Sequence, residues 1–185
     1  LVGADVLSQQ WRTSLLPGSE RVGVLLPNVN AMPVVILSLW QLGKVPAILN
    51  FSTGMATMMA CVQLAGVKQI ITSRAFLERT KLKIEPLVEA GIQMIYLEDV
   101  RARMSWAQKF FTLLRHVLAP HSALRTLRSG DAPAVVLFTS GSEGVPKGVE
   151  LSHTSLLANI RQMLAIADMQ DVDRMFNAMP LFHSF

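Results

Sequence analysis

Cysteine, tyrosine and acidic side chains are scarce in this chain of 185 residues, and the shortage of cysteine excludes two kinds of structure. Cys61 is the only cysteine, so neither an intrachain disulfide nor a cysteine-based metal cluster can form. Its neighbours Val62 and Leu64 give it an apolar helical context, which favours a core position over a reactive thiol. A reducing, cytoplasmic location fits such a composition.

Charge is also scarce, at 16% of residues against 51% hydrophobic residues, which raises the question of a membrane span. No charge lies between Arg21 and Lys44 or between Lys44 and Lys68, and both stretches are long enough to cross a bilayer. Turn residues interrupt both stretches: Pro27, Asn28, Asn30 and Pro33 in the first, and Pro46, Asn50, Ser52, Thr53 and Gly54 in the second. These breaks predict short elements buried in protein, not a span. No basic-then-apolar signal peptide pattern opens the chain.

Short apolar runs alternate with segments of helical spacing along most of the chain. The predicted strands are 21–26, 45–50, 68–72, 93–97 and 174–178. The predicted helices are 6–16, 31–42, 53–66, 76–82, another around Leu87, and 155–167. Ser52 or Thr53 is expected to cap the third of these helices, and Ser152 or Thr154 the last. Buried strands separated by helices are typical of parallel pairing. We therefore expect an α/β fold, a mostly parallel sheet flanked by helices.

The segment 101–130 contains no acidic residue but six arginines and lysines. Trp106, Phe110 and Val117 recur within it at helical spacing, which predicts a basic amphipathic helix over 101–118. Such a helix either packs its apolar face on the sheet or lies on an anionic membrane surface. We expect core packing, with the basic face free for an anionic partner. No nucleic-acid recognition motif accompanies the net charge of +4, so no nucleic-acid partner is expected.

The apolar run 134–137 leads into a stretch rich in glycine, small hydroxyl residues and lysine. It reads Phe138-Thr139-Ser140-Gly141-Ser142-Glu143-Gly144-Val145-Pro146-Lys147-Gly148-Val149. Glycines let successive backbone N–H groups point into one concavity, and hydroxyls add further donors. Lysine adds a positive charge on a flexible stem. This combination is typical of a loop that binds polyphosphate.

Two common interpretations of such a loop do not fit. Lys147 follows Pro146 and precedes Gly148, so the stretch is not the G-x-x-x-x-G-K-[ST] loop of nucleotide hydrolases. No G-x-S-x-G elbow makes Ser140 or Ser142 a hydrolase nucleophile. A plain glycine-serine hairpin turn is the remaining alternative, although a turn has no need of so many hydroxyls and a lysine.

The stretch 138–149 resembles the signature of the adenylate-forming superfamily of acyl and aryl synthetases, approximately [YF]-T-S-G-[ST]-[TE]-G-x-P-K-G-V. Pro180-Leu181-Phe182-His183-Ser184-Phe185 resembles the next motif of that superfamily, at a matching separation. Within it, the chain is most similar to the synthetase half of bifunctional bacterial acyl-acyl-carrier-protein synthetase / 2-acylglycerophosphoethanolamine acyltransferases. That similarity lies at Leu25–Asn28, Thr72–Arg74, Phe76-Leu77, Tyr96–Asp99, the Thr-Ser-Gly-Ser-Glu-Gly loop, Ile166–Asp168 and Asp173-Arg174.

The resemblance implies that 1–185 is a fragment of the N-terminal AMP-binding domain, the first part of the large synthetase domain. The adenosine-binding motifs and the C-terminal lid domain would then lie elsewhere in a longer bifunctional protein, and the fragment alone would be inactive. It also implies ATP and Mg²⁺ as cofactors, a fatty acid as substrate, and acyl carrier protein as acceptor, with coenzyme A the alternative. Activation would feed phospholipid reacylation, in the bacterial cytoplasm or at the cytoplasmic face of the inner membrane.

The resemblance further assigns roles to individual residues. Lys147 and His183 become the catalytic candidates, with His183 orienting the attacking carboxylate unless it is structural. The candidates for phosphate binding are Thr139, Ser140, Gly141, Ser142, Glu143, Gly144 and Lys147. Glu143 either contacts the metal or turns away to pair with lysine, so no metal ligand is assigned. His153 is expected to be a surface or capping residue. A phosphoryl-transfer enzyme and a membrane-binding module without chemistry are the competing classes.

Overall fold

Strands and helices alternate along the chain in the computed structural model, which describes residues 1–119, 129–140, 145–170, 172–174 and 179–182, without the side chain of Ser140. The strands are β1 (Arg21–Val24), β2 (Val45–Ile48), β3 (Gln69–Thr72), β4 (Gln93–Tyr96), β5 (Pro133–Ser140) and β6 (Pro146–Ser152). The helices are α1 (Val2–Ser14), α2 (Ala31–Gln41), α3 (Met55–Leu64), α4 (Arg74–Thr80), α5 (Glu85–Glu89), α6 (Leu97–Arg103), α7 (Trp106–Leu118) and α8 (His153–Ile166).

The strands form one sheet in the order β4-β3-β1-β2-β5-β6. Neighbouring strands are parallel except β5 and β6, which form an antiparallel hairpin. The prediction of a mostly parallel α/β sheet is therefore confirmed. The sequence did not predict β6, because its proline and glycine weaken the local strand signal and only pairing with β5 identifies it.

Helices cover both faces of the sheet and complete two apolar layers. One layer contains Val22 and Val24 of β1 with Leu7 and Trp11 of α1, and α2 adds to it. The other contains Ile70 of β3 together with residues of α3, α4 and α5. Because successive strand residues point to opposite faces, β2, β3, β4 and β5 each contribute to both layers.

The start of α3 differs from the prediction. Gly54, not Ser52 or Thr53, precedes the helix, and no side chain caps it. Both hydroxyls bond to Asn50 instead: Ser52 donates to its Oδ1 at 2.7 Å and Thr53 to its carbonyl oxygen at 3.0 Å. The two hydroxyls thus stabilise the turn at Asn50 after β2 and are not available to cap α3.

The basic segment is two helices, not one helix over 101–118. Arg101 and Arg103 end α6, and α7 begins after Ser105. Ser105 and Gln108 form a reciprocal capping box, in which the serine hydroxyl accepts from the Gln108 N–H at 3.1 Å. A strong N-terminal cap placed inside an amphipathic pattern divides it into two helices.

The expectation that α7 packs its apolar face on the sheet is wrong. Thr112 is the buried residue of this helix, and its large apolar side chains are exposed. It lies against α1, where Gln9 donates to the Thr112 hydroxyl at 3.2 Å and Arg115 pairs with Asp5. Because α1 presents polar side chains to α7, the polar side of α7 packs against α1 and its apolar side faces outward.

Near the C-terminal end of the described chain, Ser152 caps α8 as predicted, with its hydroxyl accepting from the Ser155 N–H at 3.1 Å. His153, expected to be a surface or capping residue, is instead half-buried as the first residue of α8, its ring edge-on to Trp40 at 5.2 Å. The predicted strand at 174–178 lies outside the described residues apart from its first residue. Among the helices of the described ranges, none has the length and apolar character needed to cross a membrane.

Candidate functional site

The carboxyl ends of β1, β2, β3 and β5 meet at one edge of the sheet, because these strands are parallel. The segments that leave this edge are 25–28, 49–51, 73–74 and the loop 141–145. Open α/β sheets bind their ligands at this edge. The segments singled out in the sequence therefore lie on the side of the sheet where a ligand is expected.

The loop of small hydroxyl and glycine residues connects β5 to β6. Thr139 is paired with Lys147, and Ser140 with Pro146. Side chains directly opposite in an antiparallel pair project to the same face, with Cβ atoms about 4.5–5.5 Å apart. A hydroxyl and an ammonium group are thus neighbours at the base of the loop. The pairing of β5 with β6 is that of a hairpin, but residues 141–144 lie outside the described residues, so phosphate binding by the loop remains a prediction.

Lys147 is exposed, on the edge strand of the sheet. Among the described residues it has no ion-pair partner, since the ion pairs there involve other groups. An unpaired ammonium on a rigid strand next to a glycine-rich loop can meet an anion without first breaking an internal bond. Gly141, Ser142, Glu143, Gly144, His183 and the side chain of Ser140 lie outside the described residues, so their roles remain predictions.

Met179 and the described part of the Pro180–Phe185 motif contact the same edge of the sheet. The side-chain amide of Asn28, after β1, donates to the carbonyl oxygen of Met179 at 3.3 Å. The Phe182 ring meets Phe51, after β2, edge-on at 5.3 Å between centroids. These contacts bring the two sequence motifs to one edge, although residues 150–179 separate them in the sequence.

A cleft of about 950 Å³ opens at the same edge, between β1 and β3. This is the switch point of the sheet, because the chain leaves β1 toward β2 but leaves β3 toward β4 in the opposite direction. The walls are mainly apolar, with basic side chains also present. Its lining includes Leu7, Leu26, Asn28, Val34, Phe51, Ser73, Phe76, Arg79, Leu97, Glu98, Arg101, Met104 and Lys109. The volume and lining suit a largely apolar ligand with a polar end.

A polar network holds one wall of this cleft. The Ser73 hydroxyl donates to Glu98 Oε1 at 2.6 Å and accepts from the Phe76 N–H at 3.3 Å, which caps α4. The Ala75 N–H also points at Glu98 Oε1, at 3.4 Å. Glu98 Oε2 is buried and has no hydrogen-bond partner among the described residues. The network joins α4 to α6 across the carboxyl end of β3.

The charge state of Glu98 follows from these contacts. Burial alone would raise the pKa of its carboxyl, but the hydrogen bonds from Ser73 and from backbone N–H groups outweigh it and lower the pKa below the ordinary value of 4.5. Beside it, Arg74 donates to Asp99 at 2.6 and 2.7 Å, which lowers the pKa of Asp99. Both carboxylates are therefore ionised at neutral pH.

The sequence had marked these residues without assigning them a role. The segments 72–74 and 96–99 were noted for resemblance alone, and the structure pairs them: Thr72 lies opposite Tyr96 in the sheet, and the Arg74 guanidinium lies 4.1 Å above the Tyr96 ring. The cleft itself was not predicted, because its walls come from five separate parts of the chain. The signal that the sequence offered for this cleft was that two predicted strands end at Leu26 and at Thr72.

No metal centre or thiol nucleophile appears in the described ranges. They contain no group of three or more histidine, cysteine, aspartate or glutamate side chains that could hold a metal. Cys61 is a buried residue of α3 in the second apolar layer, and burial raises the pKa of its thiol, so the expected core position is confirmed. Magnesium usually takes one or two carboxylates together with substrate phosphates. It does not require a dedicated cluster, and Glu143 is the one carboxylate in the sequence of the loop itself.

Comparisons with known proteins agree with this arrangement. The family model described as AMP-binding enzyme matches residues 16–185. The chain is 28% identical over 167 residues to 4-coumarate–CoA ligase-like 8 of Arabidopsis thaliana, covering 88% of this chain and 29% of that protein. It is 26% identical over 184 residues to the medium-chain fatty-acid–CoA ligase of Escherichia coli K12, covering 98% and 32%.

A solved structure shows the same fold. The O-succinylbenzoate coenzyme A synthetase of Bacillus subtilis, solved in complex with ATP and magnesium ion, superposes with a TM-score of 0.71 at 16% identity, over 98% of this chain and 43% of that one. The chain thus spans about a third of the curated relatives described above and less than half of this structure. At this identity the likeness concerns the fold alone.

Proposed function

The chain belongs to the AMP-binding enzyme family, and we propose that it forms the phosphate-binding part of an ATP-dependent acid–thiol ligase. In the proposed reaction a fatty acid carboxylate attacks the α-phosphorus of ATP, which forms an acyl-adenylate and releases pyrophosphate. The phosphopantetheine thiol of acyl carrier protein then attacks the acyl carbonyl carbon and releases AMP. The product feeds reacylation of 2-acylglycerophosphoethanolamine, in the bacterial cytoplasm or at the cytoplasmic face of the inner membrane.

The observation that carries this proposal is the pairing of Thr139 with Lys147 at the base of the loop 141–145, on the sheet edge that also holds the 179–182 segment and the apolar cleft. Adenylation needs an anion site for the polyphosphate and an apolar site for the acyl chain, close together. The edge offers a free ammonium for the first and a large apolar cleft for the second.

The residues of this chain would act mainly by alignment and by neutralising charge. A carboxylate and a triphosphate repel each other, so the rate depends on holding them together and on stabilising the charge that moves to pyrophosphate. Lys147 and Thr139 would bind the β- and γ-phosphates with the backbone N–H groups of the loop, together with Ser140, Gly141, Ser142 and Gly144. His183 would orient the carboxylate, since its neighbour Phe182 is held at the cleft by Phe51.

Coenzyme A is the alternative acceptor, and the names of the relatives favour it, because the plant and bacterial proteins described above are CoA ligases or ligase-like. The carrier protein is favoured instead by the segments 25–28, 72–74 and 96–99, through which the chain resembles acyl-carrier-protein synthetases. A membrane-binding module without chemistry is a further alternative. Because the chain spans about a third of those ligases, residues 1–185 alone are proposed to be inactive.

The test uses the full-length protein and follows two products. Pyrophosphate release should require both ATP and a fatty acid, and thioester formation should be faster with acyl carrier protein than with coenzyme A. Fatty-acid-dependent pyrophosphate with thioester only on coenzyme A would assign the alternative acceptor. Release of inorganic phosphate and ADP in place of pyrophosphate would contradict the proposal.

A further inference from the structure

The orientation of α7 is the reverse of that of an ordinary surface helix. Its polar side contacts the protein: Gln10 donates to Gln108 at 3.2 Å, and Asp5 binds Arg115 and lies 3.3 Å from His116 Nε2. Seven large apolar residues face away from the protein and are between 40% and 77% exposed. They are Trp106, Phe110, Phe111, Leu113, Leu114, Val117 and Leu118. At 100° per residue they cover an arc of about 160°.

The exposed face is organised by its aromatic rings. Trp106, the most exposed at 77%, stacks on Phe110 with centroids 5.4 Å apart, and Phe110 meets Phe111 edge-on at 5.8 Å. A contiguous apolar surface of this size on a helix marks an interaction site. Aromatic rings at one end of such a helix are typical of the boundary between lipid and water.

The charged groups around the apolar face indicate which kind of partner it binds. Between residues 101 and 130 every charged side chain is basic. Lys109 on α7 is exposed, and so is Arg103, which ends α6 two residues before the Ser105 cap. Of the nearby carboxylates among the described residues, Asp5 is paired with Arg115 and Asp99 with Arg74, while Glu98 accepts from Ser73 in the wall of the cleft. The surface around the apolar face is therefore positive, which complements anionic headgroups.

A second helix shows that exposed apolar residues alone do not give this pattern. α8 also exposes a large apolar set, including Leu157 at 52% and Leu164 at 51%. Its one basic residue is Arg161, and it has no aromatic residue apart from His153 at its start. The combination of an apolar arc, aromatic rings and flanking basic groups is specific to α7 among these two helices.

We propose that α7 docks on an anionic lipid bilayer, with Trp106, Phe110 and Leu114 in the interface and Arg103 and Lys109 on the headgroups. The helix is about 20 Å long, which suits a position parallel to the membrane plane. Arg115 is paired with Asp5, so it is not assigned to the headgroups. Lys109 also lines the apolar cleft, so the docked face adjoins the cleft mouth. The proposal does not depend on the ligase chemistry.

The experiment uses the full-length protein and vesicles of phosphatidylcholine, with or without phosphatidylglycerol. Cosedimentation should require phosphatidylglycerol and should weaken in about 1 M salt, where the Debye length falls to about 3 Å. F110D with L114D should lower the partition coefficient about tenfold or more. L157D with L164D on α8 is the matched control, because its side chains are as exposed, and it should bind as the wild type does.

Two further variants separate the two parts of the surface. K109E with R103E leaves the apolar arc intact and should lower binding about fivefold or more for each residue. W106F should still bind but should show a smaller blue shift of tryptophan emission on vesicles than the wild type, because Trp106 is exposed whereas Trp11 is fully buried and Trp40 is half-buried. The melting temperatures of these variants should equal that of the wild type.

Several results would overturn the proposal. One is wild-type protein that stays in solution with phosphatidylglycerol vesicles, and another is F110D/L114D protein that still binds them. A large fall in melting temperature on F110D/L114D, with Trp106 emission already shifted to the blue without lipid, would mean that another part of the protein covers the face. If an acidic carrier protein displaced the vesicles, and its binding required Phe110 and Leu114, the face would be assigned to a protein partner instead.

Discussion

Replacing Lys147 by alanine tests the proposed phosphate site most specifically. The ammonium is exposed on β6 opposite Thr139, so its loss removes a charge without opening a cavity or stranding a buried partner. Two unit charges 4 Å apart interact by about 4 kcal/mol near a protein surface, and water screens part of that here. We therefore expect adenylation to slow by about one to three orders of magnitude, the range seen when one preorganised electrostatic group is lost.

The assay is fatty-acid-dependent pyrophosphate release by the full-length protein, with kcat and KM for ATP determined separately. Because the charge on pyrophosphate grows in the transition state, kcat should fall by more than KM rises. K83A removes an equally exposed lysine in the connection after α4 and should leave the rate unchanged. A wild-type rate in K147A, with K83A also normal, would refute the assignment of Lys147.

Three further predictions concern other parts of the molecule. H183A should lower the adenylation rate with little change in thermal stability, whereas a much lower melting temperature would make His183 structural. G23A should destabilise the fold by roughly 1–3 kcal/mol in urea titrations, because the added Cβ would lie 2.8 Å from Ile70 Cγ1, while G18A, with no atom within 4 Å, should be neutral. The lowered pKa of Glu98 means that its ionised form stabilises the fold above pH 4.5 and that this contribution is lost as the pH falls through the folded-state value. E98Q should therefore flatten the acid limb of the unfolding free energy, and an unchanged pH dependence would count against the network.

Local patterns were sufficient for the parallel part of the fold. The helical spacing of Leu7, Trp11 and Leu15 predicted a helix over 6–16, and all three residues are buried against the sheet or in its core layer. The turn residues after β1 and β2 predicted the ends of these strands to within two residues. Such features depend on neighbours within a few residues, which the sequence displays directly.

Features that depend on distant partners were missed or predicted wrongly. Strand β6 exists because it pairs with β5, and the outward face of α7 follows from the polar side chains that α1 presents to it. The cleft could not be predicted, because its walls meet only when β1 and β3 become neighbours. The phosphate loop was found from its composition, but the pairing of Thr139 with Lys147 came from the fold.

The central claim, that a carboxylate attacks the α-phosphorus of ATP at this sheet edge, can be tested by following oxygen atoms. A fatty acid labelled with ¹⁸O in its carboxylate is incubated with the full-length protein, ATP and the acceptor thiol, and the nucleotide product is analysed by mass spectrometry. Attack at the α-phosphorus leaves one labelled oxygen in AMP after thioester formation. We predict labelled AMP and unlabelled pyrophosphate. Unlabelled AMP, or ADP with the label in inorganic phosphate, would contradict the account.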